Sequence, residues 1–470
     1  MSRKKIVKFY LIFLLSALSW ALFCACSPEP SSPLAKTGCR VCHKVIIDTA
    51  HDIGCTKCHG GDERGRTLKT AHRGLIARPA HPDYMAKACG GCHAGEVASA
   101  AVSRHFTLKD EIGAVWGAFF PGDAAPSIKN LPIENPPRTE RGIVADALRR
   151  RCLLCHVYYE GDNYAGTRRG TGCAACHLPI RSKGCTDHRF KRAVEDENCL
   201  ACHYGNFVGW DYYGRFEKDY EEDYRAPLVK GRHIPRPYGI EWHEMTPDIH
   251  EKYGMTCTSC HTKGPCQEYK TEKDDSQAQP TCLGCHRTGG GVEQARRMDP
   301  NIPGHRDNDL DRVSCGTCHA LWSFDDKGRS LVLQDNPIFE DWSYLSVQGS
   351  SEVEDMVSRY LAGDLSSPAT MLDKINGEAR PGLWFQVFSK RRWWPVILGE
   401  DKTGRLRVMR PLMDISISYL NAQGDAVFDN LKPKASSLVP YSPHNIGTAD
   451  TLRSIFVKQW LENTAGKQGD

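Results

Sequence analysis

A five-residue pattern, Cys-x-x-Cys-His, occurs nine times between Cys39 and His319. Its cysteine pairs are Cys39/Cys42, Cys55/Cys58, Cys89/Cys92, Cys152/Cys155, Cys173/Cys176, Cys199/Cys202, Cys257/Cys260, Cys282/Cys285 and Cys315/Cys318. The closing histidines are His43, His59, His93, His156, His177, His203, His261, His286 and His319. A chain of this composition would show about 0.04 such matches by chance, so the repetition is no accident of composition. Two thiols three residues apart share one face of a helical turn. From there they add across the two vinyl groups of a haem, and the adjacent imidazole becomes an axial iron ligand. Zinc knuckles and redox disulfides also use Cys-x-x-Cys, but neither needs a histidine after every second cysteine. The sequence therefore predicts nine covalent haems c.

Porphyrins that fill an interior replace apolar side chains there. The hydrophobic fraction is only 40%, with 42 Gly and 27 Pro in 470 residues. The expected fold is a multihaem cytochrome c of short α-helices and irregular loops wrapped around a haem chain. The motifs have no fixed period, which excludes a solenoid of equal repeats. Three close doublets, at Cys39 and Cys55, Cys152 and Cys173, and Cys257 and Cys282, place neighbouring haems near one another. Between His93 and Cys152, Gly122, Pro126, Pro132, Pro136 and Pro137 predict a loop-rich wrap. Between His203 and Cys257 comes an aromatic and acidic run, residues 210–224, followed by a basic, proline-rich piece.

From Ala320 onward there is no cysteine, and the pattern becomes strand-like. Val396-Ile397-Leu398 and Leu406-Arg407-Val408 flank a glycine-bounded turn, a hairpin signal. A second hairpin is expected from residues 414–420 through Gly424-Asp425 to Val427-Phe428. Leu452, Ile455, Phe456, Trp460 and Leu461 follow a helical spacing in the tail. The expected organisation is a nonahaem domain over 38–325 and a haem-free, partly β region over 326–470 that ends in a helix.

Residues 1–25 read as a signal peptide, with Arg3, Lys4, Lys5 and Lys8 ahead of an apolar run over 9–23. That run is short for a spanning helix. Ala25-Cys26 and the Pro/Ser-rich tether over 26–37 have the form of a bacterial lipoprotein junction, which would attach the protein to a membrane by a lipid on Cys26. The +4 net charge falls to zero once the four leader cations are set aside. Haem propionates would then make the holoprotein acidic. No concentrated basic stripe points to nucleic acid. Lys390-Arg391-Arg392, beside Trp393-Trp394, reads as part of a sheet edge. Outside the motifs and the leader, Cys185 and Cys266 remain, either as a disulfide in an oxidising compartment or as two unrelated thiols.

Ten histidines lie outside the motifs, enough to give every haem a sixth ligand. The candidates are His51, His72, His105, His188, His243, His250, His305 and His444. His81 and His233, bracketed by proline or glycine, are weaker. Two imidazoles per iron favour low potentials and leave no open coordination position.

Ala71-His72-Arg73-Gly74-Leu75, the stretch from Cys185 to Phe190, Tyr212-Tyr213-Gly214, and the segment from His250 to His261 resemble multihaem c-type cytochromes of anaerobic metal- and sulfur-respiring bacteria. The tryptophan-rich stretch from Trp393 and Tyr441-Ser442-Pro443-His444 resemble their C-terminal part. The resemblance covers most of the mature chain. In such proteins a last haem motif often follows the Pro-His element, whereas here the corresponding stretch lacks cysteines. Cys-x-x-Cys-Lys, the variant at the active haem of ammonia-forming nitrite reductases, is absent. The resemblance implies an electron carrier at the cell envelope, in the periplasm or on the outer-membrane surface. Its expected partners are other cytochromes or a quinol-linked complex. The alternative is an oxidoreductase acting on a small nitrogen or sulfur compound at one five-coordinate haem. Cys26→Ser is expected to release the protein from the membrane fraction with its haems intact; wild-type protein already soluble after lysis would contradict the anchor.

Overall fold

In the computed structural model, the described residues are 38–180, 187–219, 228–261, 282–287, 296–364, 366–387, 389–412, 414–435 and 438–464. The leader, the tether, Cys26, Cys185 and Cys266 lie outside them. Two compact units are formed. Residues 38–44 and Asp62–His72 make one; Val45–Gly61 and Arg73–Asp470 make the other. In the first, a 3₁₀ turn, Gly38–Val41, carries the first motif. Its short helix Leu68–Ala71 starts on a reciprocal cap between Thr67 and Thr70.

The second unit departs from the expected loop-rich wrap between His93 and Cys152. Helices Ala94–Val102, Lys109–Phe119 and Glu140–Ala147 occupy much of it. The prolines are confined to the connection between the last two. Upstream of them, Ile112, Val115, Trp116 and Phe119 recur at one-face spacing and are all buried. Thr139 starts the Glu140–Ala147 helix by accepting the Gly142 N–H at 2.9 Å.

That helix runs into a π-helical turn, Leu148–Cys152, which delivers three consecutive buried arginines. Arg149 pairs with Asp373 at 2.6 Å, and Arg380 approaches the same carboxylate at 2.7 Å. Arg150 lies 3.4 Å from Asp146, which also accepts the Trp384 indole N–H at 2.7 Å. Arg151 donates to the Gln348 and Gly349 carbonyls. All these partners of the arginines, apart from Asp146, come from beyond residue 340, so the turn ahead of a haem motif is fastened to the C-terminal region.

A mixed four-stranded sheet forms that region's centre, in the order Ala426–Leu431, Ile415–Leu420, Arg329–Gln334, Leu383–Gln386. Ile415–Leu420 runs parallel to Arg329–Gln334 and antiparallel to Ala426–Leu431. Leu331, Leu333, Ile417 and Tyr419 alternate inward. They join Phe106, Ile112, Trp116, Ile143 and Leu148 in one core. The haem-motif region and the cysteine-free region thus share an interior across residue 325. Both expected hairpins form: Leu398–Glu400 pairs with Leu406–Pro411, and Ile415–Leu420 with Ala426–Leu431. The strand Lys390–Trp394 pairs with Ser323–Lys327 in a separate two-stranded sheet.

The terminal helix, Thr451–Thr464, packs on Val313 and Leu406 through Val457 and Leu461. Of the apolar positions expected to do this, Leu452, Ile455 and Phe456 are exposed, because contact is made on the Val457 side. Among the described residues, no helix is long and apolar enough to cross a membrane. Asp373→Ala would leave Arg149 and Arg380 buried without their shared carboxylate, and is expected to destabilise the fold by about 3–5 kcal/mol. Chemical denaturation would measure the loss.

Candidate functional site

A helical turn gathers most of the motifs. Cys55–His59, Cys173–His177, Cys282–His286 and Cys315–His319 are five-residue helices, and Cys257–Cys260 is a four-residue one. In others the closing histidine N–H returns to the first cysteine carbonyl, as at His43 (2.9 Å), His93 (2.9 Å) and His203 (2.8 Å). Each such turn sets two thiols and one imidazole on neighbouring positions. The Cys152 motif differs: it follows the π-helical turn, and Leu154 N–H bonds the Cys152 carbonyl at 2.9 Å.

The cysteines differ in how far they are enclosed. Cys42 and Cys92 are exposed, as are Cys260 and Cys282. Cys39, Cys55, Cys58, Cys89, Cys152, Cys155, Cys173, Cys176, Cys199, Cys202, Cys257, Cys285, Cys315 and Cys318 are half-buried. The turns at Cys42 and Cys92 are properly closed, since their N–H groups bond the Cys39 carbonyl at 3.2 Å and the Cys89 carbonyl at 3.1 Å. Both turns lie at the surface, so the second thiol of each reaches solvent. Cys176 stands at a margin for a different reason. The buried positions of its helix are Ala174, which packs with Ala80 and Leu178, and Ala175, which joins the main core.

The histidines lie in opposed pairs. Ring centres are 6.0 Å apart for His43 and His72, 6.3 Å for His51 and His93, and 6.2 Å for His59 and His188. His105 faces His203 at 6.2 Å, His250 faces His286 at 6.0 Å, His261 faces His444 at 6.4 Å, and His305 faces His319 at 6.0 Å. Every one of these seven pairs joins a motif histidine to one from outside the motifs. Two imidazoles on opposite sides of one metal, each with a bond of about 2.0 Å and about 1.1 Å from nitrogen to ring centre, would have centres about 6.2 Å apart. The spacing fits a single iron between each pair.

Hydrogen bonds at Nδ1 prepare the opposite nitrogen. His59, His177, His203, His286 and His319 bond the carbonyls of Ile76, Lys191, Val208, Arg296 and Gly447, at 2.8–3.0 Å. A carbonyl only accepts, so Nδ1 carries the proton and the Nε2 lone pair is left for a metal. On the opposing side, His51 Nδ1 meets Asp48 at 2.8 Å and His250 Nδ1 meets Asp248 at 2.7 Å. The carboxylate raises the pKa of His250. His305 Nδ1 faces the Asp299 carbonyl at 3.2 Å.

Long-range docking brings His444 into place. Asp211 accepts the Tyr441 hydroxyl at 2.6 Å and the His444 backbone N–H at 2.8 Å, while Asp248 accepts the Ile446 N–H at 2.7 Å. Burial pushes His203 down to about 4 and Glu111 up to about 7. Both residues nevertheless carry exposed surface.

The remaining histidines are placed differently. His156 is fully buried; its Nδ1 accepts the Tyr158 N–H at 3.1 Å, and its Nε2 has no hydrogen-bond partner. His81, one of the weaker candidates, packs edge-on against the same Tyr158 at 5.3 Å and accepts the Asp83 N–H at 3.2 Å. Its position beside a haem motif follows from a turn among prolines, where no helical or strand periodicity gave a signal. His243 stacks on Phe216 at 6.0 Å, away from the seven pairs.

The cytochrome c3 family model matches residues 249–327. That stretch holds His250, His305 and the motifs beginning at Cys257, Cys282 and Cys315. No curated protein and no solved structure matches the chain. The family match supports a multihaem cytochrome that binds haem c covalently and transfers electrons. Asp248→Asn is expected to weaken the bond to His250 and raise the potential of one haem, by about tenfold in the ferric/ferrous ratio or about 59 mV. Potentiometric titration would read this shift.

Proposed function

We propose that the chain is an exported electron carrier with nine low-potential haems, most of them held between two histidines, serving anaerobic respiration at the cell envelope. A lipid on Cys26 would hold it at a membrane surface. Its partners would be other cytochromes or a quinol-linked complex. Haem c at these positions supplies one-electron redox chemistry.

The chain's own residues then have separable tasks. The cysteine pairs tether, and the motif histidines bind one face. His51, His72, His105, His188, His250, His305 and His444 supply the opposing imidazole. Asp48 and Asp248 hold the Nδ1 proton of their histidines and orient the rings. Two imidazoles held in this way would leave the iron no open position, which favours relay over reaction with a small substrate. The seven opposed pairs are the observation that carries this reading.

A second reading, oxidoreduction of a small nitrogen or sulfur compound at one open site, is favoured only by the Cys152 motif, where the polarity at His156 is reversed. One preparation separates the two. Pyridine haemochrome should count nine haems per chain, and low-temperature EPR of the oxidised protein should show predominantly low-spin ferric haem. Seven or fewer haems would contradict the count. A substantial high-spin signal with fast, saturable turnover of nitrite, hydroxylamine or tetrathionate would overturn the carrier.

A further inference from the structure

Contacts between thiols connect the motifs in an order different from that of the sequence. Cys89 lies beside Cys173, Cys155 beside Cys202, Cys199 beside Cys257, and Cys282 beside Cys315. Asn198, one residue ahead of Cys199, donates to the Ala175 carbonyl at 3.1 Å and the Leu178 carbonyl at 2.7 Å, on and just after the Cys173–His177 helix. The Cys199–Cys202 motif therefore adjoins three others. One direction leads through Cys173 to Cys89. A second leads through Cys257, whose partner Cys260 is near Cys282 and Cys285, toward Cys315. The third is the Cys152 motif, through Cys155; this motif also adjoins the Cys173 motif, since Gly172 N–H donates to the Val157 carbonyl at 2.7 Å.

Arg169 sits at this third contact and is fully buried. Its Nη1 donates to the Thr167 carbonyl at 3.1 Å and the Ala201 carbonyl at 3.3 Å. Its Nη2 donates to the Leu154 carbonyl at 3.0 Å and the His156 carbonyl at 3.1 Å. One guanidinium thus bridges both attachment loops, and these bonds all go to carbonyls. Guanidinium does not deprotonate in proteins, so the charge stays. Haem attachment adds each thiol S–H across a vinyl double bond, giving a neutral thioether with no leaving group and no oxidant. Cys155 and Cys202 then have no thiolate form with which to offset the charge. A buried cation stabilises whichever neighbouring redox state is less positive, which is the reduced one.

We propose that Arg169 is the positioning residue that locks the Cys152–His156 site to the Cys199–His203 site and draws electrons toward the joined pair. The proposal rests on the carrier reading. A pair biased in this way can hold an electron while others pass along the rest of the relay.

The test is a potentiometric titration, followed by optical and EPR signals, of full-length haem-loaded protein carrying Arg169→Gln or Arg169→Lys. Arg169→Gln should move two haem waves to lower potential, and Arg169→Lys should restore them. No shift in Arg169→Gln, or an equal shift in both variants, overturns the role of Arg169. If Arg169→Gln fails to retain its haems, Cys152→Ser/Cys155→Ser decides: loss of the Cys152 site should remove one wave and displace that of the Cys199 site to which Arg169 joins it. Removal of one wave with no other displaced overturns the joined pair. Wild-type protein without reversible haem waves would instead fail the carrier reading itself.

Discussion

The architecture depends on holding two imidazoles opposite one another with ring centres about 6 Å apart. Such a gap cannot close by hydrophobic collapse, and the rings gain nothing from each other without a metal. The surrounding fold has to hold them apart and aligned. It does so by anchoring Nδ1 on carbonyls and carboxylates and by fixing the backbone on either side of each ring. His51 and His93, at 24° between planes, and His305 and His319, at 9°, are nearly parallel, while His250 and His286 are at 67°. The fold specifies separation strictly and leaves rotation about the axis to each site.

Rigidity of that kind needs a conventional core somewhere, and the cysteine-free region provides it. Its sheet packs with the helices between His93 and Cys152, and Asp373 and Asp146 draw the arginines of the π-helical turn into the same interior. Buried ion pairs of this sort contribute little net stability, but they tolerate few alternative arrangements. Here they fix the direction in which the chain enters the Cys152 motif. The three buried arginines act as fasteners between the region that carries the motifs and the β-rich region.

The haem motifs and both C-terminal hairpins were legible in the sequence, because each rests on local spacing. Cysteines three apart make one turn, and alternating apolar residues around glycine make a hairpin. Spacing says nothing of depth, however, and could not tell that Cys42 and Cys92 sit at the surface or that Cys176 lies at the margin of a buried helix. The helices after His93 were missed because the prolines of a neighbouring loop dominated the reading of the whole insertion. The terminal helix was legible, but its buried face was not. Leu452, Ile455 and Phe456 have the right periodicity, and only the position of Val313 and Leu406 decides that Val457 turns inward. Opposing histidines belong to the same class of problem. Their number was readable, whereas the match of His444 with His261 depends on Asp211 and Asp248, which dock the chain on either side of His444 from far away in sequence. The polarity of His156 had no sequence signal at all, since it depends on where the Tyr158 N–H points.

The distance along the chain between opposed histidines also sets a timetable for maturation. His250 and His286, or His305 and His319, lie within one stretch of nascent polypeptide and can meet as soon as it emerges. His261 must wait for a partner near the C-terminus, delivered only when Tyr441 has reached Asp211. A chain truncated before residue 444 would carry its cofactor attachment point at Cys257 but lack the opposing ring.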